Sequence, residues 1–552
     1  MDAFARRTSA LSAEGRRLAA LALLALLALM AACPAAARAQ DPGQVDSAYL
    51  YAVSLMEGLR GHWEQSTALL KMAAEGDTGS AYLREELAQR YQDLGMGPKA
   101  VEALEQAAKA APGDLQAQLR LAQACLARKQ WDKAKAAYQQ ALALAPGDEE
   151  VLRALGALAM ARGESEEALD WLGRCLAAHP DSLHARLLKA ACLAQMGRGD
   201  EAVAEYRAAL AQDPQAGSAY LQLAQLQGEL GRPQAAEEAL CQGLAQLPDD
   251  PELTDSLARL EQGRGLWAEA AASFGDLARL EPDSADARLS QGLNLLRSGA
   301  PGPARAAMEP LSATAGEHQA VLLSALGMAA DGMGDSAAAV GYFQASLGLD
   351  PSIEAAYGQL ADLYQRLSRT AEMLPLLEKG VAQLPKSADL WSLLGAAYLD
   401  ADKPELARQR LEKACALGLD SPQLHYQLGV ACDRAGDTAQ AERELDRVIE
   451  AEPGNAEALN YLGYSLADRG VELDKALDLL KRAVALEPEN PYYLDSLGWA
   501  WHRLGDRERA LYYLGRALGL MKGPDKDRDE VQGHLRAVQA GKPELTPAPA
   551  AP

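Results

Sequence analysis

Between Ala81 and Asp114 the apolar positions fall three and four apart, twice over. Leu87, Ala88 and Tyr91 share one helical face, and Ala100, Leu104 and Ala107 share another. The stretch therefore predicts two short amphipathic helices. Gly95 lies between them, where a chain leaving a helix commonly needs a left-handed backbone. Pro112 follows the second helix, which proline cannot extend. Small side chains at Ala88, Ala100 and Ala107 let neighbouring helices approach closely.

The same 34-residue pattern then repeats along the chain. Starts fall at 47, 81, 115, 149, 183, 217, 251, 285, 320, 354, 388, 422, 456 and 491, with one extra residue in the eighth unit and one in the thirteenth. Glycine holds the fifteenth position in eleven units, from Gly61 to Gly505. The closing proline recurs in ten, from Pro112 to Pro488, and alanine holds the twentieth position in twelve, from Ala100 to Ala510. Three independent markers keep one phase, so the chain reads as an all-α array of about fourteen helix pairs. Each unit of such an array contacts only its neighbours, and its core grows linearly with length. That removes the need for several domains that 552 residues would ordinarily imply.

These residues resemble the tetratricopeptide repeat family. The matching residues include Trp391, Leu394, Gly395, Tyr398, Ala407, Leu411 and Ala414 in one unit, and Leu494, Gly498, Ala510, Leu514 and Ala517 in the last. The resemblance implies a right-handed α-solenoid, a superhelix of helix pairs with a concave groove, over 47–524. The first unit matches less well, at Ser54, Ser66 and Thr78. The unit at 285 lacks its closing proline around Ala315–Glu317, and the unit at 354 has Met373 where alanine is expected. Both read as local irregularities. Val531, Leu535 and Val538 put one apolar face on a polar helix over 525–540, suited to cap the last unit. Residues 541–552, rich in proline and alanine, read as a disordered tail.

The N-terminus is of another kind. Arg6, Arg7, Arg16 and Arg17 precede the apolar run Leu18–Cys33, which is short for a membrane span and fits the core of a signal segment over 1–39. Ala37-Arg38-Ala39 offers an ordinary cleavage site. Leu29-Met30-Ala31-Ala32-Cys33 resembles a bacterial lipobox, in which Cys33 would be lipidated. An uncleaved anchor is the third option. The expectation is export to the periplasm, with an outer-membrane tether if Cys33 carries lipid, and a linker over 40–46.

Charge narrows the partners. The chain carries a formal −23, and the five arginines of residues 1–39 leave the repeats more acidic still. Such a body repels phosphate backbones and anionic lipid surfaces, so nucleic acid is excluded and membrane contact is left to Cys33. Only three Phe occur, so Ala and Leu do most of the packing. No CxxC occurs among the cysteines, which argues against zinc. Cys175 and Cys192 share a spacing of 17 with Cys415 and Cys432, a pairing that adjacent helices would permit. Cysteine as a small buried residue is the simpler account.

No HExxH, GxSxG, P-loop or dinucleotide motif occurs, and repeats fill the chain. The reading is non-enzymatic, with no cofactor and no metal. Trp63, Trp131 and Trp267 all fall at position 17 and are expected in the repeat core, as are Tyr138, Tyr206, Phe274 and Phe343 at position 24. In the family the groove is lined by positions 2, 5, 9, 12 and 13 of the first helix. The middle units place small or apolar groups there, such as Leu187, Ala191 and Leu221. The last three units place Tyr426, Asp433, Arg434, Asn460, Tyr464, Asp468, Tyr492, Asp495, Trp499, His502 and Arg503 there. Tyr, Trp and Arg carry much of the binding energy at interfaces. This set is the candidate partner-binding site, led by Tyr426, Asn460, Tyr464, Asp468, Tyr492, Asp495, Trp499 and Arg503. Packing of Tyr464 and Trp499 against neighbouring helices is the alternative. The lysines of a carboxylate clamp are missing.

Ala458–Gly470 and Ala476–Gly505 resemble the C-terminal part of large bacterial outer-membrane repeat lipoproteins. That resemblance implies an adaptor for a periplasmic carboxyl-terminal processing protease and its substrates. A structural role in an envelope export machine, for polysaccharide or secretion, is the competing expectation.

Overall fold

A computed structural model describes residues 46–541 except 314–315 and 523–525. The signal segment, Cys33, nearly all of the linker and the tail from residue 542 lie outside the described residues.

Twenty-nine α-helices and two short 3-10 helices form among the described residues. Twenty-eight of the α-helices pair in sequence order, from Ser47–Leu59 with Trp63–Gly76 to Pro491–Arg503 with Arg507–Leu520. Lys526–Ala540 closes the series. The helix starts follow the 34-residue phase, the ninth unit starting one residue early at Gln319. Two compact units result, one ending at Leu253 and one beginning at Thr254. Within each, helices pack on their sequence neighbours and, in places, on the helix two ahead. This is the stacking of an α-solenoid.

Local chemistry explains the boundaries. First helices begin behind Ser80, Asp114, Asp148, Ser182, Ser284, Ser387, Ser421, Asn455 or Asn490, whose side chains accept an amide hydrogen from the first turn. The glycines at position 15 all have positive φ, for example 71° at Gly95. The three units without glycine hold the same conformation at Lys129, Ser368 and Asp402.

Close packing follows from small residues. The recurrent alanines from Ala100 to Ala510 are at most 2% exposed. Tyr138, Tyr206, Phe274 and Phe343 are buried as expected. The tryptophans at position 17 are not. Trp63, Trp131 and Trp267 are half-buried at the edge of the core. Arg90 lies 5.0 Å over the Trp63 ring and Arg297 lies 4.8 Å over Trp267. An indole beside a turn has one face left over, and a guanidinium covers it.

The two irregular units have identifiable causes. In the eighth, the second helix, Pro301–Met308, passes into a 3-10 turn, Glu309–Ala313. Pro310 lacks an amide hydrogen and its ring crowds the carbonyl of Ala306, so the α-helix ends there. In the tenth, Pro375 sits inside Thr370–Gln383, and Met373 fills the alanine site, buried. The extra residue of the thirteenth unit lies in its turn, where Glu472 takes φ 43°.

Cys175, Cys192, Cys415 and Cys432 form no disulfide. The Cys175 thiol donates to the Glu149 carbonyl at 3.8 Å, and the Cys192 thiol to that of Ser165 at 3.5 Å. Burial pushes the Cys432 thiol up to about 12. Among the described residues no helix is long and apolar enough to cross a membrane, and no cluster of three or more His, Cys, Asp and Glu could hold a metal.

Candidate functional site

The first helices of the last three repeats are Pro422–Arg434, Ala456–Arg469 and Pro491–Arg503. Residues that share a repeat position stack along them, 34 or 35 apart in sequence. The side chains between successive helices therefore meet.

The first such meeting is between repeats twelve and thirteen. Tyr426 meets Tyr461 edge to face, with ring centres 6.3 Å apart. The Asp433 carboxylate accepts hydrogen bonds from the Tyr461 hydroxyl at 3.2 Å and the Ser465 hydroxyl at 2.9 Å. Burial raises the phenol pKa of both Tyr426 and Tyr461, so both remain protonated donors. Asn460 is partly buried, and its side-chain oxygen is enclosed without accepting a hydrogen bond. An enclosed, unpaired acceptor is costly. Arg434 is exposed.

The second meeting is between repeats thirteen and fourteen. The Trp499 indole donates to Asp468 at 3.2 Å. The Arg503 guanidinium lies against Gly470. His502 lies beside Trp499, with ring centres 5.1 Å apart. Burial, then the charges of Arg503 and His534, hold the His502 pKa below the usual imidazole value.

The third meeting involves Lys526–Ala540. His534 stacks on Trp499, with ring centres 4.4 Å apart and planes 23° apart. Its Nδ1 is 3.0 Å from both oxygens of Asp495, which is 8% exposed. Tyr464 lies 6.3 Å away, ring to ring, and burial raises its phenol pKa. The Tyr492 hydroxyl donates to Asp527 at 3.0 Å, although the ring is 49% exposed.

The structure thus divides the sequence-derived set. Tyr464, Asp468, Asp495 and Trp499 converge on a single cluster with His534, and Tyr492 touches the same final helix. Tyr426, Asn460 and Asp433 form a separate group, one repeat away. Sequence reasoning passed over Tyr461, Ser465 and His534. The signal for His534 was available: it follows Trp499 by 35 residues, and Gly533 before it matches Gly498. Lys526–Ala540 thus stands where the first helix of a further repeat would begin, continuing the repeat phase.

Comparisons with known proteins bear on the fold. Two family models, both described as tetratricopeptide repeat, match this sequence. One matches 92–158, 127–192, 159–207 and 193–260. The other matches 256–312 and 426–491, and together they span more than half of the chain. The TPR repeat-containing protein PA4667 of Pseudomonas aeruginosa is 34% identical over 175 residues, 32% of this chain and 29% of that protein. The human protein O-mannosyl-transferase TMTC1 is 28% identical over 138 residues, 25% of this chain and 15% of that protein. The matches therefore cover less than a third of either relative. Among solved structures, the APC/C hetero-tetramer Cut9-Hcn1 is 15% identical, with a TM-score of 0.37, over 82% of this chain and 95% of that one.

Proposed function

The chain belongs to the tetratricopeptide repeat family, and on that premise we propose that it is a non-enzymatic scaffold of the bacterial cell envelope that binds protein or peptide partners along the first-helix face of repeats twelve and thirteen. Repeats of this family suit protein–protein interaction. The observation that carries the proposal is the group Tyr426, Tyr461 and Asp433, which sets aromatic surface beside a carboxylate on the face that Asn460 shares. A peptide backbone amide is a natural donor to such a carboxylate. The neighbouring carboxylate and exposed Arg434 supply charge of both signs.

Placement in the envelope rests on the apolar run Leu18–Cys33 behind its arginines. The adaptor role for a periplasmic processing protease rests on the likeness of Ala458–Gly505 to outer-membrane repeat lipoproteins. A tether through Cys33 would complete that arrangement.

Site-specific photo-crosslinking in bacterial cells tests the binding face. A crosslinker at residue 426 or 460 is expected to capture the same partner, with capture lost when Asp433 is replaced by Ala. A crosslinker at residue 512, whose tyrosine is 59% exposed on a second helix, is expected to capture none of it. Equal capture from 512 would remove the assignment.

A further inference from the structure

The last helix, Lys526–Ala540, makes two kinds of contact with the repeat array. The apolar kind is ordinary. Val531 and Val538 are buried in a cluster with Leu494, Leu514 and Ala517, and Leu535 packs on its edge. The polar kind is concentrated at His534, which enters the cluster of Asp495, Trp499 and Tyr464 described above. Those are candidate partner-binding residues, and the helix covers them.

We propose that Lys526–Ala540 is a pH-responsive latch over the aromatic end of the first-helix face, held shut by protonated His534 and loosened when the imidazole loses its proton. With the latch docked, Trp499 and Asp495 face the chain's own helix, Asp495 buried and Trp499 half-buried beneath it.

The charges around the ring set the direction. Burial alone would discharge the imidazole. Burial is the largest single effect, but the hydrogen bond and charge of Asp495, with Glu530 on the same helix and Asp468 on Ala456–Arg469 adding to them, together exceed it and hold the His534 pKa above the usual imidazole value. His502, on Pro491–Arg503, is the neighbouring titratable group, and burial with the charges of Arg503 and His534 holds its own pKa down. A charged imidazole stacked on an indole also gains from the ring quadrupole. Because protonation is favoured in the docked state, docking is strongest below the pKa of a free imidazole. That advantage is lost as pH rises through the raised, docked value.

The remaining anchors are hydrogen bonds. Arg507 donates to the Gln539 carbonyl at 2.8 Å, and Arg528 donates to the carbonyls of Leu518 and Met521. The Tyr492 hydroxyl reaches Asp527. The pH-dependent part of docking is therefore assigned to His534.

Amide hydrogen exchange of the full-length chain, corrected for intrinsic rates, tests the latch. Protection of the 526–540 segment is expected to fall roughly tenfold between about pH 5.5 and about pH 8.5, the scale of one hydrogen bond to a charged group. Protection of 507–520 is expected to stay level and serves as the internal reference. His534→Gln, which retains a hydrogen-bonding side chain, is expected to flatten the 526–540 profile. Asp495→Asn is expected to flatten it independently. A level wild-type profile overturns the proposal, as does a wild-type slope in both variants. The test reads only the last helix, so its outcome is separate from that of the crosslinking experiment.

Discussion

Lys129, Ser368 and Asp402 occupy the turn position that eleven repeats give to glycine. Each holds φ between 53° and 58°, at a cost that glycine would not incur. The backbone there is dictated by the two flanking helices, so the side chain must accept it. Lys129→Gly is expected to stabilise its repeat by about 0.5 kcal/mol, the relief of left-handed strain less the greater freedom of glycine in the unfolded chain. The converse change, Gly163→Val, is expected to destabilise by more than that. Denaturant midpoints of the three proteins check both directions. At this scale the sequence was largely legible. Gly95 and Pro112 marked helix ends because their covalent structures restrict or free the backbone regardless of context. The half-burial of Trp63 and Trp267 was not legible, because it depends on an arginine from another helix covering the ring.

The helix pair is the element of this molecule, and its closeness rests on position 8. A Cβ added at Gly463 would lie 2.7 Å from Leu480 Cγ and 3.2 Å from the Ala476 carbonyl. Neither the leucine, buried in the core, nor the backbone has room to retreat. Gly463→Val is expected to cost about 2 kcal/mol, within the range of overpacked cores, and to lower protection of both helices of its repeat in hydrogen exchange. Equal protection in wild type and variant would show that the pair is looser than its geometry implies. Helix identity and phase followed from period alone. The break at Glu309 did not, because it depends on Pro310, which lies off the marker positions of the repeat.

For the whole molecule, contacts stay local in sequence within each of two compact units. Such arrays gain stability repeat by repeat and lose cooperativity as they lengthen. Denaturant unfolding is therefore expected to show more than one transition. Helical circular dichroism and tryptophan fluorescence are expected not to coincide, since Trp63, Trp131 and Trp171 report on the first unit and Trp391, Trp499 and Trp501 on the second. One coincident transition in both signals would show that the chain unfolds as a single body.

The sequence by itself determined the architecture. A 34-residue period in glycine, alanine and proline predicts recurring pairs of short helices joined by a recurring turn, because each marker acts within a few residues of itself. It also singled out the last three repeats as chemically different from the rest. Only the tertiary structure divided that set, placing Tyr426 and Asn460 in one group and Trp499 and Asp495 in another beneath His534. The reason is distance along the chain. Asp495 and His534 are 39 residues apart, and their meeting depends on where the last described helix comes to rest.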